Sequence, residues 1–440
     1  MKIINIILFF CLSFPALVQA YCSKVTNRNQ LSADLISKGY TASNWNGACF
    51  ACNGDLGLPS VISLSMNNTF LPAGSVLAAS SPSFLTSASN NPFNANAILY
   101  RCDLGDADKL YEIYGSNSTY NVTGDTPAED IEGAYLTASR NIAVRFTNTI
   151  TGEYYTAYWK SRKLGPDSWI QDDKYIYIPV TAFSAVHVEV LKTASTRAYN
   201  NSNNYYFYNE SPPQGLIAFR GPGLGTSNIR DGEHLGRYHP SWPGDYPGGF
   251  SLYNIVTIVR GAACRIKDYP SVILFPTMSS AALNSGESVQ RPFSIDLTCE
   301  DKAISSTNRS NNNTANVAMG FLVKQPNAVA AAKKLRLISG SGLTHLLDSN
   351  YGSPGVASGV GIRIYDEKGK ALTLLASKAT ATGNAAGWYA YKDITTDQGD
   401  SEDGISTFKG NFTASLEVIN GQKATAGSID SQLQVVVSFQ

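Results

Sequence analysis

Leu433-Gln-Val-Val-Val-Ser-Phe439 runs into Gln440 at the close of the sequence. In an extended backbone Leu433, Val435, Val437 and Phe439 fall on one side. Gln432, Gln434, Val436, Ser438 and Gln440 fall on the other, with Val436 the one apolar residue among them. Chain ends ordinarily fray, so an alternation of this kind demands a partner. Either the segment lies inside a completed sheet or it waits for a strand from elsewhere.

Working back from this strand, the chain reads as all-β. Short strand-like runs lie at Asn141–Phe146, Lys174–Val180, Ala185–Leu191, Tyr253–Val259, Pro292–Cys299, Val317–Val323, Gly361–Tyr365 and Phe412–Val418. Turn residues separate them, the pattern of sandwiches or barrels. Helical periodicity is confined to Asp106–Tyr114 and Asn327–Leu337. Long loops are expected at Ser80–Asn96, Ser195–Asn204 and Ser305–Asn316, and the Gly- and Pro-rich Ser211–Gly249 reads as irregular. Arg260 to Ala263 is small and flexible in composition and follows a clear strand, so it marks a linker. That gives a head over 21–259 and a second unit over 264–440.

Residues 1–20 read as an export signal: Lys2, then an apolar run from Ile4 to Leu17, then Val18-Gln-Ala20. No later run of about 20 apolar residues follows. Of 7 cysteines, Cys11 leaves with the signal, and the other six suit disulfides in an oxidising compartment. Cys22, Cys49, Cys52 and Cys102 form one group, for which three pairings exist and a Cys49–Cys52 bond is the least expected. Cys264 and Cys299 form the other. Net charge is +0 and only 15% of residues are charged, which argues against nucleic acid or an anionic membrane as partner.

The 264–440 region resembles the pilin domains of chaperone–usher fimbriae. Family members end in an alternating strand with a penultimate aromatic, here Phe439, and a glycine 14 residues from the terminus, here Gly427. Cys264-Arg-Ile and Pro292-Phe-Ser-Ile-Asp-Leu-Thr-Cys299 are similar to the paired cysteines of the first two pilin strands. Gly359-Val-Gly-Ile-Arg-Ile-Tyr-Asp366 and Gly410-Asn-Phe-Thr-Ala-Ser-Leu416 match two further segments in the family's order. The resemblance implies a Cys264–Cys299 disulfide, contributing roughly 4 kcal/mol by chain entropy. It also implies an immunoglobulin-like sandwich lacking its last strand. A periplasmic chaperone lends that strand, and an adjacent fimbrial subunit replaces it at the outer-membrane usher. Leu433, Val435, Val437 and Phe439 are then the chaperone-pairing residues, with the Gln440 carboxylate as anchor.

A subunit that continues a fibre donates an N-terminal strand of about 10 residues. Tyr21 alone precedes Cys22, so the chain is expected to accept a strand and give none, which places it at a fibre tip on the cell surface after export through the periplasm. The family position implies a receptor-binding, often lectin-like, head. Sugar recognition needs an aromatic face and hydrogen-bonding groups, and two segments supply them. One carries Tyr154, Tyr155, Tyr158 and Trp159 and runs on to Trp169, Asp172 and Asp173. The other carries Arg230, Asp231, Glu233, His234, His239, Trp242, Asp245 and Tyr246. The named ligand candidates are Trp159, Trp169, Asp172, Asp231, Glu233, Trp242, Asp245 and Tyr246.

A metal reading is weaker: His187 shares a strand face with Glu189, and His234 and His239 lie near Glu233, but the spacing fits no zinc signature. No cofactor is expected. Gly-x-Ser-x-Gly, His-Glu-x-x-His and a phosphate-cradling loop are all missing, so enzyme chemistry is not expected either. The sequence therefore points to a fimbrial tip adhesin with a glycan-binding head. The alternatives are a head that binds a host protein or surface polymer, a structural fibre initiator without a receptor and, last, a secreted enzyme with a sandwich module.

Overall fold

The computed structural model describes residues 21–45, 47–48, 56–59, 61–87, 93–117, 125–197, 204–206, 213–236, 238–252, 256–311, 314–377 and 387–440. Strands dominate, and helices are short. No helix among the described residues is long and apolar enough to cross a membrane.

Two main apolar cores divide the molecule. The first is drawn from residues between Cys22 and Ile258. Among the described residues, four small sheets surround it. In one, Val186–Lys192 lies between Val76–Ser80 and Ile142–Asn148. Its alternation is legible: Val186, Val188 and Val190 enter the core, while His187 and Glu189 face outward. Glu189 sits opposite Arg145 in register, and the two make a forked ion pair at 2.6 and 3.0 Å. A second sheet runs Gly248–Phe250, Gln214–Arg220, Tyr111–Asn117, Lys160–Lys163. A Cys22–Cys102 disulfide ties the start of the described chain into this unit. Tyr21 N donates to Asp103 and Cys22 N to Pro222 O, so these residues form no free arm. Cys49 and Cys52 lie outside the described residues.

The second core is a sandwich. One sheet orders Cys264–Asp268, Val289–Glu300, Ile405–Val418 and Val360–Asp366, with Cys264 bonded to Cys299. The other pairs Asn316–Val323 with Trp388–Ala390 on one edge and Leu433–Phe439 on the other. Leu297, Met319, Phe321, Phe408, Phe412 and Phe439 fill the space between.

Three expectations change. Within 211–249, Gln214–Arg220 is a strand with its first six residues buried, so no alternation betrays it. The helix expected at Asp106–Tyr114 is a 3₁₀ turn, Leu104–Lys109, followed by the strand Tyr111–Asn117. The connection at 260–263 is pinned rather than free. Gly261 N donates to Leu64 O, and Ala263 exchanges hydrogen bonds with Glu300 on both sides. A Cβ on Gly261 would fall 2.4 Å from Ala315 Cβ.

Candidate functional site

The terminal strand Leu433–Phe439 pairs antiparallel with Asn316–Val323, in register from Val317↔Phe439 to Val323↔Leu433. Gln440 N donates to Asn316 O and Lys324 N to Gln432 O. Even-numbered residues thus bond across that ladder, and by the alternation of antiparallel pairing the odd-numbered ones turn their N–H and C=O away from it. Phe439 obeys the rule: its N–H points outward, 2.7 Å from Ser63 Oγ. The outward groups of Leu433, Val435 and Val437 have no ladder partner among the described residues.

The side chains of these odd residues are apolar and half-covered. Leu433, Val435 and Val437 lean on the second core without closing it, while Phe439 is fully buried. Val436, which breaks the alternation, is also accounted for. It packs on the opposite face with Ala318, Leu322, Leu375 and Trp388.

Across from this edge, Cys264–Asp268 lies beside the terminal strand without a ladder to it. It covers only Asp296–Cys299 of the long strand Val289–Glu300, and that strand's first half has no ladder partner on this side among the described residues. The chain beyond Asp268 carries Val272 and Leu274, 68% and 78% exposed. With Tyr269, Arg291 and Phe293 they line a cleft of about 490 Å³. Unpaired backbone beside exposed apolar side chains is the composition of an edge that adds a strand.

Two of the expected pairing residues lie outside the strand Leu433–Phe439. Gly427 precedes the strand, and its constraint is local: a Cβ there would lie 2.3 Å from Ala357 N. Gln440 is buried, and its backbone oxygen accepts Ser310 N at 2.6 Å.

In the head the two aromatic segments meet. Trp159 N donates to Glu233 O, Gly232 N to Trp159 O and Leu235 N to Ala157 O. The pairing sorts the candidates. Trp159 and Tyr246, 1% and 0% exposed, belong to a core with Ile113, Leu216 and Leu235, so neither offers a ring face to solvent. The residues that do are their neighbours Tyr158 and Tyr238, 52% and 38% exposed. Tyr158 stands edge-on to His234, ring centres 5.2 Å apart, and Trp159 Nε1 donates to Tyr238 O, fixing the second tyrosine from below. Strand parity alone offered this signal: Tyr158 alternates with Trp159.

The polar candidates are mostly committed. Asp231 accepts from Ser161 Oγ and Arg220. Glu233 accepts Arg230 N. Trp242, half-buried, stands edge-on to Tyr246, and its bond to Pro243 is cis. Asp245 accepts the Tyr100 hydroxyl through its backbone oxygen, and its charge acts on Lys24, whose pKa burial lowers against that attraction. Trp169 and Asp172 belong to another hairpin, Ile170–Gln171 with Tyr175–Pro179. There Asp172 accepts the N–H groups of Lys174 and Tyr175 and the Tyr177 hydroxyl. Burial alone would raise the Asp172 carboxyl, but these bonds prevail and lower it.

The metal candidates do not converge. His187 Nδ1 pairs with Ser81 Oγ, Glu189 is taken by Arg145, and His239 Nδ1 lies 3.0 Å from Leu235 O. Among the described residues no three His, Cys, Asp or Glu side chains are grouped to hold a metal.

Residues 253–440 match the family model described as Fimbrial protein. No curated protein matches the chain. Among solved structures, the P pilus rod subunit PapA is 15% identical, covering 41% of this chain and 100% of its own, with a TM-score of 0.24. The CupB6 tip adhesin from Pseudomonas aeruginosa is 11% identical over 89% of this chain and 96% of its own, TM-score 0.25. The CsuC–CsuE chaperone–tip adhesion subunit complex of Acinetobacter baumannii aligns at 12% identity over 88% and 100%, TM-score 0.19.

Proposed function

We propose that the chain, whose residues 253–440 match the Fimbrial protein family model, is the tip adhesin of a chaperone–usher fimbrial fibre, its second unit accepting a β-strand and its head contacting a glycan. One observation carries the first half. The terminal strand has a filled edge toward Asn316–Val323 and an open one at Leu433, Val435 and Val437, backed by half-covered apolar side chains. An extended apolar strand satisfies both needs at once: its backbone pairs the outward groups, and its side chains complete the core. A periplasmic chaperone supplies that strand first, and the adjacent fimbrial subunit supplies it after passage through the outer-membrane usher. The chain so assembled stands at the fibre tip on the cell surface.

The head is assigned its role by chemistry. Tyr158 and Tyr238 offer exposed aromatic area, and His234 lies beside them as a hydrogen-bonding group. Aromatic faces that meet the C–H side of a sugar ring, bordered by polar groups for its hydroxyls, make a shallow and selective surface. The test is a glycan array probed with the full chain held by its chaperone, comparing wild type with Tyr158→Ala/Tyr238→Ala. Binding to a defined glycan that the double variant loses supports the reading. Binding that survives it, or binding only to protein or surface polymer, overturns the glycan assignment.

A further inference from the structure

The outermost rung of the open edge is closed by the head. Phe439 is the last odd-numbered residue, and its outward N–H donates to Ser63 Oγ at 2.7 Å. Ser438 Oγ donates in return to Val61 O at 2.7 Å. Both partners belong to Val61–Leu64, which spends its other edge in a parallel ladder with Thr257–Arg260. Val61 and Phe70 are buried in the second unit's core rather than the first. Arg265 reinforces the join, donating to Phe70 O at 2.8 Å with its guanidinium 5.1 Å over the Phe70 ring.

On the premise that this edge accepts a strand, we infer that the head forms the end wall of the groove: an incoming extended strand pairs at Leu433, Val435 and Val437 and stops short of Phe439, where Ser63 occupies its place. A hydroxyl oxygen stands where a partner strand's carbonyl would otherwise accept, so the two are mutually exclusive at that N–H. The partner is an apolar β-strand of another chain whose paired length is set by this stop, and its end abuts the head.

The test is amide exchange on the full chain, free and with a ten-residue peptide of alternating Val and Thr. In the free wild type the Phe439 amide exchanges roughly five- to tenfold more slowly than Val437, the effect of one net hydrogen bond. The peptide then protects Leu433, Val435 and Val437 and leaves Phe439 unchanged. Ser63→Ala abolishes the protection of Phe439 in the free chain and lets the peptide restore it, while Ser63→Thr, which keeps the hydroxyl, behaves as wild type. The inference is overturned if Phe439 exchanges as fast as Val437 in the wild type, if Ser63→Ala leaves it unaltered, or if the peptide adds protection at Phe439 with Ser63 present. A peptide that protects none of the three rungs sinks the strand-accepting reading itself, and the end wall with it.

Discussion

Glu112 and Arg162 meet at 2.6 Å, the carboxylate wholly buried and the guanidinium nearly so. Asn148 Nδ2 and both the N–H and hydroxyl of Ser184 donate to the same carboxylate. Three strands and one connecting segment of the head are therefore tied to one charge. Deleting one member of such a pair strands the other in a low-dielectric site. Glu112→Ala is expected to destabilise the head by about 3–5 kcal/mol. Lys160→Ala, which removes the looser and more exposed contact to Glu153 at 3.8 Å, should cost less than about 1 kcal/mol. Denaturant midpoints of the two variants separate these outcomes.

Tyr158 and Trp159 are adjacent in sequence and opposite in role. Trp159→Ala empties a buried site and should cost about 3–5 kcal/mol. Tyr158→Ala removes a side chain that is 52% exposed and should leave thermal stability within about 0.5 kcal/mol of wild type. Thermal unfolding of the two variants checks the division. Equal losses would mean that Tyr158 is structural.

Gly427→Ala should destabilise the second unit by more than about 2 kcal/mol. The atoms a Cβ would meet, Ala357 N at 2.3 Å and Val356 C at 2.5 Å, are backbone and cannot step aside. The neighbouring ladder ties both chains down, with Ala357 N bonded to Ser428 O and Ser428 N to Gly355 O. Gly369→Ala serves as the comparison, since nothing lies within 4 Å of its added Cβ; its positive φ alone costs about 1 kcal/mol.

Acid should weaken the second unit through Glu417. Partial burial by itself would raise this carboxyl. Hydrogen bonds with His345 and Tyr365 and the charge of Arg363 outweigh it and hold the group below its ordinary 4.5. A carboxylate lowered on folding stabilises fully above its unfolded value, and that contribution is lost as pH falls through the folded one. Glu417→Gln should therefore lower stability at pH 7, where the contribution is fully present, change little in strong acid, where it is already lost, and so flatten the decline below about pH 4.5, as read from unfolding midpoints across pH.

The second unit was more legible than the head, for physical reasons. Its terminal strand is half-buried and alternates, so Leu433, Val435, Val437 and Phe439 declare one face, and the Cys264–Cys299 pair fixes the register of two strands. Gln214–Arg220 is covered on both faces and carries no period to read. Among the aromatic candidates in the head, Trp159 and Tyr246 are buried. Tyr, Trp and Asp types single out a segment, but parity sends Trp159 inward and Tyr158 outward. Nothing in composition tells a core tryptophan from a binding one. The head's share in the second core, through Val61 and Phe70, joins residues about 200 positions from their partners and leaves no local trace.

The open edge is tested most directly by residue-resolved amide exchange along the terminal strand of the free full chain. The account predicts alternation: Gln434, Val436 and Ser438, bonded to Asn316–Val323, exchange slowly, while Leu433, Val435 and Val437 exchange within the solvent-exposed range. Uniform protection at all six positions would mean that the chain fills this edge from its own sequence, and the strand-accepting account would be contradicted.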